Sequence, residues 1–319
     1  MLATLSIVLP IFALIFTGWL ARRLGALGPQ ATRELNRFVV YLALPALLFD
    51  IVANASFDEL WQPGFILAFG GGCLIIYLAT LTLRLVQSAR LADAAIDGLN
   101  ASYANTGYMG FPLMLAAFGE AGLPPTLIAT IITVCAIFAV AIVLIESSTQ
   151  EGAGPMDVAR KTARALLTNP LLIAPFAGAI VLITGWTLPT PIEVYLDFLG
   201  SAASPCALIA LGLFLAGTTE AGGQKPAQQW PVMATLSGLK LIGQPLITWL
   251  IAAPLLGLPE FAVHAAVLIA ALPTGTGSFM LAEFYGREAR LTGQTVLVTT
   301  ILSIATISAY LSWIGISPG

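Results

Sequence analysis

Residues 101–114 read ASYANTGYMGFPLM, and residues 270–286 read AALPTGTGSFMLAEFYG. Each stretch lies inside a long apolar run and breaks it with small and hydroxylated residues beside a proline. Proline removes a backbone donor and blocks the preceding turn, while glycine loosens the helix. In lipid there is no water to satisfy the freed backbone groups, so such a break must be buried in protein or line a wet cavity. Broken membrane helices present half-helix N-termini whose partial positive charge suits an anion, and bare carbonyls that suit a cation. Kinked helices packed through small residues would explain either segment alone. One such segment in each half of the chain favours a binding site.

The rest of the sequence puts these segments in a membrane. Of 319 residues, 58% are hydrophobic and 9% are charged, with a mean hydropathy of +0.93. A soluble domain carries about a quarter charged residues. About 20 apolar residues cross a bilayer, and ten such spans are predicted: 3–21, 38–55, 64–86, 96–117, 124–146, 168–187, 196–217, 231–255, 262–284 and 292–314. The first span is read as an uncleaved helix, because no basic segment precedes it and Arg22 and Arg23 follow it. The expected fold is an all-α membrane protein.

Charge fixes the expected orientation. Twelve of the thirteen basic residues fall in alternate connections: Arg22, Arg23, Arg33 and Arg37; Arg84 and Arg90; Arg160, Lys161 and Arg164; Lys225; Arg287 and Arg290. The opposite connections carry acids such as Asp58, Glu59, Glu120, Glu193 and Glu260. By the positive-inside rule the basic side is cytoplasmic, and both termini lie outside. The longest polar connection, 147–167, is expected to be a cytoplasmic linker, with a short interfacial helix over DVARKTARALL as the alternative. It separates two sets of five spans, 1–146 and 168–319. Five is odd, so the second set runs upside down, an inverted repeat common in secondary transporters. LALPALLF around Pro45 echoes ASPCALIALG around Pro205, Pro112 echoes Pro273, and Gly18-Trp19 echoes Gly185-Trp186.

The candidate substrate-binding residues are Asn105, Thr106, Gly107 and Pro112 in the fourth span and Pro273, Thr274, Thr276, Gly277 and Ser278 in the ninth. Lys240 lies about ten residues into the eighth span, where insertion costs about 2.5–3.5 kcal/mol. It is either a counter-charge for an anion or carboxylate, or a lysine snorkelling to the cytoplasmic face. Asp50, Glu146 and Glu283 are candidates for a coupling proton, or interfacial carboxylates. His264 is read as a boundary residue, and Trp19, Trp61, Trp186, Trp230 and Trp313 as interfacial anchors. Cys73, Cys135 and Cys206 sit in apolar runs, and no Cys/His cluster suggests zinc. No phosphate-binding loop, HExxH or GxSxG is present, so neither ATP hydrolysis nor another enzyme activity is expected. No basic patch interleaved with aromatics suggests nucleic acid.

Residues 7–27 (IVLPIFALIFTGWLARRLGAL) and 35–49 (LNRFVVYLALPALLF) resemble the opening of the auxin efflux carrier family. Residues 104–113 and 272–286 resemble its signatures in the fourth and ninth helices. The resemblance implies the fold of the bile-acid/sodium symporters, with the fourth and ninth helices crossing. Helices 1, 2, 6 and 7 would be a scaffold and helices 3–5 and 8–10 a mobile transport domain. It further implies an elevator-type transporter of a small organic anion, such as an auxin-like or malonate- or malate-like carboxylate, in a bacterial inner membrane. Membrane lipid would surround it, a homodimer would form through the scaffold, and no cofactor is expected beyond a coupling H+ or Na+. A bile-acid-type sodium symporter is the nearest alternative, and a membrane sensor or embedded enzyme a remoter one. Gly277 departs from the family pattern, which often has asparagine there.

Overall fold

In a computed structural model the protein is entirely helical among the described residues, which are 2–56, 60–148, 168–220 and 229–315. The 147–167 linker lies almost wholly outside them. We label the helices in chain order: α1 (Leu2–Arg23), α2 (Ala31–Ala53), α3 (Pro63–Val86), α4 (Leu91–Ser102), α5 (106–118), α6 (123–148), α7 (Pro170–Thr184), α8 (Thr190–Gly217), α9 (Trp230–Leu255), α10 (Glu260–Ala270), α11 (Thr276–Phe284) and α12 (Ala289–Trp313). Six helical stretches are long and apolar enough to cross a membrane. One of them, Thr106–Ser148, runs for 43 residues, but it folds back at Gly119 (φ 63°, ψ −153°) to give the antiparallel pair α5 and α6.

Local sequence explains the helix ends. Asn169 caps α7 by accepting from the Leu171 N–H at 3.0 Å, and Pro170 follows in the first turn, where its missing donor costs nothing. The same helix stops at Gly185, which adopts the left-handed conformation (φ 64°).

Both interrupted segments are helix breaks. The helix α4 ends at Ser102, and α10 ends at Ala270. The extended segments that follow meet as an antiparallel bridge between Ala104 and Thr274. The Asn105 N–H donates to the Pro273 carbonyl at 2.9 Å, and the Gly275 N–H donates to the Tyr103 carbonyl at 2.9 Å. The chain resumes as helix at Thr106 and at Thr276. Pro112 is therefore not the counterpart of Pro273. It is exposed and sits at the start of the α-helical part of α5, after a π-helical turn over Thr106–Gly110, whereas Pro273 lies in the bridge itself. The residue opposite Pro273 is Asn105.

Outside the crossover, α1 packs along α8 and α2 along α7, while α3 packs along α4 and α9 along α10. The α1–α8 contact is backbone to backbone. A Cβ on Gly18 would collide with the Ile209 carbonyl, and one on Gly212 with the Ile15 carbonyl. Helices in lipid associate through this kind of close approach, because hydrophobic burial gives them no advantage over lipid tails. Gly212→Val should force α1 away from α8 and lower the melting temperature of the purified protein by several degrees. Gly217→Val, at a position without a close neighbour, serves as the control.

Candidate functional site

The bridge does more than join two helices. It sets the N-termini of α5 and α11 side by side, both opening on one cavity. The first-turn amides of a helix have no acceptor within it. Gly107 and Tyr108 of α5 and Thr276 and Gly277 of α11 contribute such amides, and all four residues line the cavity. Asn105 is 6% exposed and caps no helix amide with its side chain, so its carboxamide is left for whatever enters. The Thr106 hydroxyl lies 3.3 Å from that of Thr133, whose own proton goes to the Ala129 carbonyl at 2.8 Å. The far wall is apolar: Leu44, Leu47, Leu48 and Ile51 of α2, with Ala203 and Ala207 of α8. Ser204 is the polar exception on that wall. A small ligand with one anionic end and a short apolar body matches this division.

Five of the nine candidate binding residues come together here: Asn105, Thr106, Gly107, Thr276 and Gly277. The other four lie elsewhere. Pro273 gives its carbonyl to Asn105. Thr274 donates its hydroxyl to the Asn100 carbonyl at 2.7 Å, and its N–H donates to the Thr299 hydroxyl at 3.1 Å. Ser278 donates to the Gly275 carbonyl at 2.9 Å. These three hold the bridge, while Pro112 faces outward. The charged candidates also lie off the cavity. Asp50 accepts from Asn54 at 2.8 Å, and Glu283 lines a separate hollow with Arg33 and Arg37. Lys240 is fully buried and does not snorkel; its Nζ donates to the Ala270 carbonyl at 2.8 Å. Glu146 accepts from the Tyr285 hydroxyl at 2.7 Å, and His264 Nδ1 lies 2.8 Å from the Tyr310 hydroxyl.

Two features escaped the sequence reading. Asp97 in α4 is fully buried and paired with Arg84, Nε to Oδ2 at 2.6 Å. An acid inside an apolar span, with an arginine close by in the preceding one, was the available signal. Beside this pair, outside the spans, burial raises the Glu288 carboxyl, helped by Asp93 and opposed by Arg84 and Arg287. The second feature is Tyr103, which is 6% exposed, lines the cavity and packs against Phe138 at 5.1 Å between ring centroids. A Cβ on Gly277 would fall 2.6 Å from the Tyr103 hydroxyl and 3.1 Å from Phe138. The tyrosine thus fills the space that an asparagine at 277 would take.

Residues 4–311 match the family described as membrane transport protein. A protein of Rhizobium meliloti named "Putative malonate transporter" is 33% identical over 96% of this chain and 94% of its own length. "Auxin efflux carrier component 8" of Arabidopsis thaliana is 23% identical over 96% of this chain and 95% of its own. The mouse "Lysosomal cholesterol signaling protein" is 24% identical over 74% of this chain, which spans 28% of that protein.

The Tyr103 packing yields a direct test. Gly277→Ala should destabilise the protein by about 1–3 kcal/mol, the usual cost of overpacking a filled site. The melting temperature measures it, and Tyr103→Leu in the same chain should recover most of the loss.

Proposed function

We propose, since the chain belongs to the membrane transport protein family, that it is a secondary transporter of a small organic anion, a carboxylate of malonate, malate or auxin type. One observation carries this reading. The two half-helix N-termini and the Asn105 carboxamide converge on a cavity whose opposite wall is apolar. The carboxylate would accept from the Asn105 amide and from the first-turn amides of α5 and α11, with the α5 and α11 dipoles adding to the attraction. Thr106 and Gly107 shape this end, and Pro273, Thr274 and Ser278 hold it in place. The names of two relatives fit the same ligand class, since malonate and auxin are both carboxylates.

The proposed architecture is ten spans in two inverted repeats, 1–146 and 168–319, joined by the 147–167 linker. In it, α4 with α5 forms the fourth span and α10 with α11 the ninth. Each half lends helices to the other in matching pairs, α1 with α8 and α2 with α7, which supports a two-fold relation. We take α1, α2, α7 and α8 as the scaffold and α3–α6 with α9–α12 as the mobile body. The cavity lies between α2 and α8 on one side and the crossover on the other. Sliding the crossover along the scaffold would carry a bound anion from one membrane face to the other in an elevator-like movement. With the cytoplasm on the side of the basic connections, both termini would lie outside, in a bacterial inner membrane. A homodimer through the scaffold would cover the exposed Phe176, Ile180 and Ile183 of α7. A proton or sodium gradient, or the membrane potential, would drive uphill movement.

Asn105→Ala keeps the backbone bridge, since that bond uses the Asn105 main chain. In proteoliposomes, wild type should exchange radiolabelled malonate or malate, and the variant should lose roughly tenfold or more in rate, the scale of a lost hydrogen bond to a charged group. The variant should melt within a few degrees of wild type. Equal rates for the two proteins would refute the site, and no carboxylate transport by wild type would refute the substrate class.

A further inference from the structure

The C-termini of the two broken helices end in the protein interior, at Ser102 of α4 and Ala270 of α10. Their last carbonyls lack helical partners and carry the negative end of each helix dipole, about half a charge apiece. Two side chains of α9, one turn apart, take them up. Lys240 Nζ donates to the Ala270 carbonyl at 2.8 Å, and Gln244 Nε2 donates to the Ser102 carbonyl at 3.0 Å. Both side chains are 0% exposed. Among the described residues no carboxylate lies within ion-pairing distance of Lys240. Its counter-charge is the carbonyl end of α10. Gln244 Oε1 and Asn100 Oδ1 are buried without hydrogen-bond partners.

Half-helix C-termini with bare carbonyls are the places where broken-helix transporters coordinate a coupling cation. Here an ammonium, covalently attached to α9, already sits on one of them. We propose that Lys240 is the resident cation of the crossover and stands where an alkali ion would otherwise bind. The acceptor it occupies is the Ala270 carbonyl, while the neighbouring helix end, at Ser102, is held by Gln244. A bare helix-end carbonyl of this kind is an oxygen donor that suits a hard monovalent cation once the ammonium is gone. The protein therefore neither needs nor binds sodium at this point, and Lys240 acts as a positioning residue that holds α10 at the bridge. The transport arm of the test rests on the carboxylate-transporter reading; the melting arm does not.

The experiment uses the full chain purified in detergent, melted in choline, sodium, potassium or methylammonium chloride at equal ionic strength. Wild type should melt at one temperature in all four salts. Lys240→Gln should melt lower in choline and rise with sodium or methylammonium in a concentration-dependent way, as a ligand of the native state does. A lysine with a merely structural role would leave the variant equally weakened in every salt, and that result would overturn the proposal. Sodium stabilising the wild type over choline would overturn it as well, so the idea stays testable even if the variant does not fold. In proteoliposomes, wild-type malonate exchange should be equal in sodium and choline, and Lys240→Gln exchange should become cation-dependent by roughly tenfold. Absence of malonate exchange by wild type in either salt would count against the substrate reading, while the melting result decides the role of Lys240.

Discussion

Two backbone hydrogen bonds set the rest of this structure. The Asn105 N–H to the Pro273 carbonyl and the Gly275 N–H to the Tyr103 carbonyl close a short antiparallel bridge where no helix passes through. A broken helix in lipid must find partners for its freed groups, and each broken helix here finds them on the other. Pro273 fits that arrangement because it has no N–H to satisfy and offers only a carbonyl. The remaining loose ends follow from the bridge. The N-terminal amides of α5 and α11 are turned to the cavity, and the C-terminal carbonyls of α4 and α10 are turned to α9. Amide donors and carbonyl acceptors are thereby separated to opposite sides of one crossover.

On the proposed reading, that separation is how a chain with so little charge would hold an anion. Among the described residues no basic side chain lines the cavity, so its attraction for an anion would come from peptide dipoles and one carboxamide. Fixed dipoles cost no desolvation of a buried cation. Among the described residues, the Asp97 pair with partly buried Arg84 and Lys240 on Ala270 tie α3 to α4 and α9 to α10. They hold the helices that carry the crossover and leave the ligand space alone.

Much of this was legible in the sequence. Hydropathy placed the membrane class, and the two Gly- and Thr-rich segments marked both breaks. The position of the first break was not legible. Pro112 drew attention, yet proline is well tolerated in the first turn of a helix, so it marks the resumption of α5 and not the interruption before it. The true partner of Pro273, Asn105, gives its backbone to the bridge, which composition cannot reveal. Lys240 was ambiguous for a similar reason: its acceptor is a main-chain carbonyl thirty residues away. Gly277 looked like the loss of a polar group. The structure shows that its missing side chain makes room for Tyr103, a compensation across two separate helices that single-chain patterns do not carry.

The most direct measurement of the central claim, that the crossover cavity holds a carboxylate, is a melting screen of the purified protein. The ligands are mono- and dicarboxylates, set beside amino acids and neutral metabolites of similar size, at two pH values. A ligand that binds only the native state raises its melting temperature with concentration. One or a few carboxylates should stabilise the wild type, and Asn105→Ala should abolish the effect. Stabilisation by amino acids or neutral metabolites alone, or by carboxylates equally in wild type and variant, would contradict it.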